Sequence, residues 1–147
     1  RDGDAQANLG RYFDKLAAEN FQENIAVEIE GRDIPSMKKA ESVVMFDFMA
    51  LCDGPRSQND YIELSRIYQS VLLANVKQMD ASKDDIARRF IAMVDEFYER
   101  KVKLIISAEV AAEDLYVSGR LSFEFQRCLS RLQEMQSREY LALAHLA

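Results

Sequence analysis

An α/β fold is predicted for this sequence, a helix and a small antiparallel sheet followed by a βαβ unit and a C-terminal helix. Three observations predict it. Ile25, Val27 and Ile29 alternate with Ala26, Glu28 and Glu30, the period of a strand. Ile86, Phe90, Val94 and Phe97 repeat at nearly helical spacing. That helix lies between two apolar runs, VLLANV and VKLIISA, and the order strand, helix, strand builds a buried parallel sheet.

In chain order, ANLGRYFDKLAAE is a first helix with Leu9, Tyr12, Phe13 and Leu16 on one face. NIAVEIEG is a strand, Gly31-Arg32 a turn, and IPSM an extended piece whose Pro35 predicts an edge position. SVVMFDF is the next strand. In CDGPRSQNDY, Gly54-Pro55 closes that region, Ser57 is a helix cap and Asp60 stands three residues on, as in a capping box. Tyr61, Leu64, Ile67 and Tyr68 then form an apolar stripe. The strongest helix, SKDDIARRFIAMVDEFYERK, is predicted to be capped by Ser82, with Asp84 and Asp85 in the first turn. A right-handed crossover should link the strands on either side of it. AAEDLY is a short helical turn broken by Gly119-Arg120. The last segment opens with Leu121, Phe123 and Phe125 in alternation, an extended start, before Phe125, Leu129, Leu132 and Met135 set a helical stripe. We divide the chain into residues 1–50, the N-terminal helix and small sheet, and 51–147, the α/β C-terminal region, packed as one unit.

The chain has 147 residues, 48% of them hydrophobic, enough for one domain that buries roughly two thirds of its unfolded surface. Its formal charge of -6 argues against general attraction to nucleic acid or an anionic bilayer. No run approaches the ~20 apolar residues of a membrane span, and RDGDAQANLGRYFD lacks the apolar core of a secretion signal, so a soluble intracellular protein is expected. Cys52 and Cys128 have no companions at metal-ligand spacing and read as small buried side chains; the single histidine, His145, stands beside the C-terminus. No metal site is expected.

No phosphate loop, dinucleotide turn, zinc-protease helix or nucleophile elbow occurs in these residues. The carboxylate pairs Asp84/Asp85, Asp95/Glu96 and Glu113/Asp114 are adjacent in sequence, so they point apart on a helix and read as caps or solvated faces. Arg88 and Arg89 are placed to pair with Asp84 and Asp85 one turn earlier. Arg127 and Arg131 project from one face of the last helix, answered either by a nearby carboxylate or by a phosphate or partner surface. Ser107 and Asn75 fall at the carboxyl ends of the two parallel strands, where ligands gather in open α/β sheets. The aromatics at 46, 48, 97, 98, 123 and 125 are expected in the core, with no specific nucleic-acid partner.

The strings FDFMALCDGPRSQNDYIELS, DDIARRFIAMVDEFYERKVKLIISA, EDLY and GRLSFEFQRCLSRLQEMQSREYL resemble the C-terminal half of the AFG1-like AAA+ ATPases, across most of residues 24–143. In that family the phosphate loop and the acidic pair that organises magnesium lie upstream of this region. The resemblance therefore implies a piece of a larger ATPase that binds ATP and Mg, while this chain alone is expected to hold no cofactor, no catalytic residue and no turnover. Implied partners are the upstream ATPase core, further copies of the parent, and a protein substrate or cell-division partner, with peripheral membrane association through a partner. The implied location is the bacterial cytoplasm or inner membrane face, or the mitochondrion in a eukaryote. Arg56, Ser107, Arg127 and Arg131 are the candidate nucleotide-contacting residues, and Arg56 also reads as part of a structural hinge. VKLIISA followed by LYVSG looks like a sensor region, with Ala108 where its asparagine is expected. Lys77 and Cys128 stand where the family often has proline and threonine. The rival reading is a protein-interaction module without direct nucleotide contact.

Overall fold

Five strands form one mixed sheet in the order β1-β2-β3-β4-β5. In the computed structural model, which describes residues 2–17 and 20–136, these are β1 (Gln22–Ile29), β2 (Arg32–Lys39), β3 (Val43–Asp47), β4 (Ser70–Val76) and β5 (Lys103–Ala108). The helices are α1 (Asp2–Ala17), α2 (Phe48–Cys52), α3 (Gln58–Ile67), α4 (Asp84–Glu99) and α5 (Ser122–Met135). The predicted helix residues beyond Ala17, the segment after Gln136, and His145 within it lie outside the described residues.

The first three strands run antiparallel, and β3, β4 and β5 run parallel. The predicted small sheet and βαβ unit are thus one continuous surface. The β1–β2 turn is Glu30-Gly31, one residue earlier than predicted, because both residues take positive φ (52° and 76°), the conformation of a two-residue hairpin whose strands twist together correctly. Pro35 lies in β2, which has β1 on one side; β3 reaches only its last two residues, Lys38 and Lys39, so the proline's missing N–H interrupts no second ladder.

Strand period sorts the parallel strands onto two faces. Val43, Met45, Leu72 and Ala74 pack with Leu9 and Phe13 of α1 on one face, with Ile105 beside them. Val44, Phe46, Val71, Leu73 and Leu104 face the larger core built with α2 to α5. Both faces are covered, so these strands read as apolar runs without alternation.

Several predicted positions move. β3 ends at Asp47, whose side chain accepts from the Met49 N–H and caps α2, so Phe48 is helical. The turn before α4 is capped by Asp80, which accepts from the Ser82 N–H; Ser82 itself is not the cap. Leu16 and Ile67 are exposed, outside the stripes predicted to contain them. The segment from Ser122 is helical from its first residue, which leaves Phe123 84% exposed instead of in the core.

Candidate functional site at the strand ends and the last helix

Three parallel strands end side by side, and their last polar residues join. Asn75 takes φ 63°, a left-handed conformation that asparagine tolerates better than most residues. The ladder between β4 and β5 slips between Leu73 and Val76, which frees the Asn75 backbone. Its N–H donates to Ser107 Oγ at 3.1 Å, and its side-chain Nδ2 donates to Asp47 Oδ1 at 2.8 Å. Ser107 and Asn75 therefore meet at the carboxyl ends of their strands. Asp47, read beforehand as a strand residue, completes the chain. Asn75 is bound to both of the others, so the edge is a polar clasp tying strand ends together. Asn75→Ala is expected to lower unfolding free energy by about 1–3 kcal/mol, from the lost bond and the strained backbone. Asn75→Gly should recover the backbone part, as read by urea denaturation.

At the junction of α2 and α3, Gly54 takes φ 98° and the chain turns back. Arg56 Nε donates to the Ala50 carbonyl at 2.9 Å and its Nη1 to the Pro55 carbonyl at 3.1 Å. A cation on the free carbonyls of a helix C-terminus satisfies acceptors that the helix leaves open. Arg56 thus stitches α2 shut. Arg89 approaches from α4 and donates to the Cys52 carbonyl at 3.4 Å, closing the same junction.

Among the described residues no ion pair joins Asp84 or Asp85 to Arg88 or Arg89, and Asp84 is engaged elsewhere. It accepts from Tyr116 Oη at 2.9 Å and Arg120 Nε at 3.1 Å, pinning the Gly119-Arg120 turn to α4. Arg88 is exposed.

On α5 the two arginines have separate fates. Arg131 Nη1 bonds Asp95 Oδ1 of α4 at 2.7 Å, and its guanidinium lies 4.9 Å from the Tyr98 ring centre. Tyr98 Oη in turn donates to Glu134 Oε1 at 2.8 Å, a bond that raises the phenol's pKa. Arg127 is exposed, and no ion pair among the described residues includes it. Phe123, one turn earlier, shares its helical face.

Cys52 and Cys128 are both buried and unbridged, as their neighbours predict. Burial pushes both thiols well above their ordinary range, which suits packing and not nucleophilic attack. Among the described residues no three His, Cys, Asp or Glu side chains stand together to hold a metal, and no helix is long and apolar enough to cross a membrane.

A family model for AFG1-like ATPases matches residues 1–144, nearly the whole chain. The chain belongs to the AFG1-like ATPase family. It is 46% identical over 144 residues to the cell division protein ZapE of two Escherichia coli strains, covering 98% of this chain and 38% of that protein. It is 25% identical over 174 residues to lactation elevated protein 1 homolog B of Danio rerio, covering 93% of this chain and 34% of that protein. The chain thus spans little more than a third of the length of these relatives. No solved structure matches.

The family that matches is described as AFG1-like ATPases. The described residues do not themselves fit ATP with Mg. Arg56 is held by carbonyls, Arg131 by Asp95 and Ser107 by Asn75, with no partner in common. Arg127 is exposed and enters no ion pair among the described residues.

Proposed function

We propose that this chain is the part of an AFG1-like AAA+ ATPase that packs on the nucleotide-binding core and couples ATP hydrolysis to protein partners. The observation that carries this reading is the outer face of α5. Arg131 fixes the helix to α4 through Asp95 and Tyr98, and the same helix turns Arg127 and Phe123 outward. A guanidinium on a fixed helix matches phosphate or carboxylate oxygens without much loss of freedom on binding. The parent binds ATP and Mg through its remaining length, and Arg127 answers the negative charge presented by the nucleotide or by a neighbouring copy. Hydrolysis removes that charge and loosens the packing of α5 on its neighbour.

The 46% identity to the cell division protein ZapE supports a role for the parent in bacterial cell division, and our reading sets that work in the cytoplasm or at the inner membrane face through a protein partner. Phe123 favours a second reading, in which the same face grips a protein partner without touching nucleotide, because a bare phenyl ring beside an arginine is typical of docking contacts.

The test is ATP turnover by the full-length protein. Arg127→Ala is expected to cut turnover by about 10-fold or more, on the scale of a lost charge contact at a phosphate, with no change in melting temperature. Arg56→Ala should instead lower stability by about 1 kcal/mol through the lost helix-end bonds. Wild-type turnover in Arg127→Ala removes the nucleotide role and leaves the docking module. Magnesium-dependent turnover by this chain alone removes the coupling reading altogether.

A further inference from the structure

The two edges of the sheet are finished differently. β1, at one edge, carries the devices that keep an edge from pairing: Gln22, Glu23 and Glu28 are exposed, and Asn24 takes φ 52°, which breaks the ladder. β5, at the other, has one charge, Lys103 at its first position, and that residue is buried rather than set out along the edge; the rest reads Leu104-Ile105-Ile106-Ser107-Ala108 without charge or proline. An apolar parallel strand of this kind belongs inside a sheet.

The backbone says which groups are open. The Lys103 N–H donates to Gln69 at the start of β4, and the Glu109 N–H to Val76 at its end, so the odd residues of β5 face β4. By strand alternation Leu104, Ile106 and Ala108 point their N–H and C=O groups away from it. One is already answered: Gln136, just beyond α5, donates its side-chain amide to the Leu104 carbonyl at 2.6 Å. A carboxamide there does what the N–H of a neighbouring strand would do. Beside it, a cleft of about 350 Å³ lined by Asn8 and Leu9 of α1 and by Ile105 to Ala108 runs along the same edge.

We infer that β5 is an interior strand of the parent's sheet, and that a strand from the parent's remaining length pairs with it at Leu104, Ile106 and Ala108. The chain covers 38% of its ZapE relatives, so most of such a parent is available to supply the strand. This inference rests on the proposed packing against the ATPase core and gives that contact its form: main-chain hydrogen bonds along a sheet edge, with Ile105, Ile106 and the cleft covered by the added strand's side chains.

Hydrogen exchange of the full-length protein tests it, read at single amides. The Ile106 N–H, directed outward, is expected to exchange as slowly as the Ile105 N–H, directed at β4, about two orders of magnitude below an open amide. Fast exchange at Ile106 with slow exchange at Ile105 overturns the inference. So does protection that vanishes on dilution, which assigns the edge to a second copy, or protection lost when residues 137–147 are removed. ATP turnover measured on the same samples separates the two failures: an open Ile106 in a protein that hydrolyses ATP, while this chain alone does not, leaves the coupling function standing.

Discussion

Asp60→Ala is expected to lower the unfolding free energy by about 3 kcal/mol, the lower end of the cost of breaking a buried ion pair. Asp60 is fully buried, and its two oxygens each lie 2.6 Å from Arg32 Nη2 at the start of β2. It also accepts from the Ser57 N–H at 2.7 Å, closing the first turn of α3. One carboxylate thus ties the hairpin, the helix start and the α2–α3 junction together. The Arg32 side chain is 43% exposed and can turn to water once abandoned, which keeps the loss from reaching the top of the range. Asp60→Asn keeps the shape and gives up the charge, so it should fall between wild type and alanine. Urea midpoints of the three proteins decide the matter; a loss under about 1 kcal/mol would assign Asp60 the worth of an ordinary surface pair.

Phe90→Ala should cost about 3–5 kcal/mol, the toll of emptying a phenyl-sized space in a packed core. Phe90 is fully buried on α4, stacked on Phe125 of α5 at 5.8 Å and edge-on to Phe48 of α2 at 6.0 Å. Phe125 stacks in turn on Tyr116 at 5.1 Å. The ring therefore couples three helices and the turn that follows β5. A cycle of Phe90→Ala, Phe125→Ala and the double variant is expected to give a coupling of about 0.5–1.5 kcal/mol, the excess that aromatic pairs show over burial alone. Additive losses would mean that the rings fill space without favouring each other.

The regular elements were legible because their periods are strong and the two cores agree with them. VLLANV and VKLIISA could hardly be anything but strands flanking the amphipathic α4, and they pair in parallel as expected. Two of the misreadings share a cause, alternation in a segment that is helical. Leu121, Phe123 and Phe125 satisfy a strand's period of two, yet residues two apart on a helix differ by about 200°. Leu121 and Phe125 are therefore buried on one side while Phe123 stands in solvent. Phe46 and Phe48 misled in the same way, although an aspartate between them was a readable helix cap.

At the site, position along the strands was enough to bring Ser107 and Asn75 together. The partners of the arginines were not readable. Arg131 finds Asp95 at a separation of 36 residues, and Arg56 uses main-chain carbonyls, which leave no mark in a sequence. Nothing in the sequence separated Arg127 from Arg131, one turn further on the same helix; only the position of Asp95 on α4 ties the second and leaves the first outside.

The placement of α1 has a consequence for synthesis. Leu9 and Phe13 pack with β3 and β4, and Ile105 of β5 lies against the same cluster. Some 90 residues separate the helix from that last piece of its seat, which at a ribosome's pace of about 5–20 residues per second is a wait of roughly 5–20 s. During that interval the apolar stripe of α1 has only part of its final cover, so the nascent chain carries an exposed apolar surface that chaperones are equipped to hold. The first of these five helices in chain order is among the last to be fully seated.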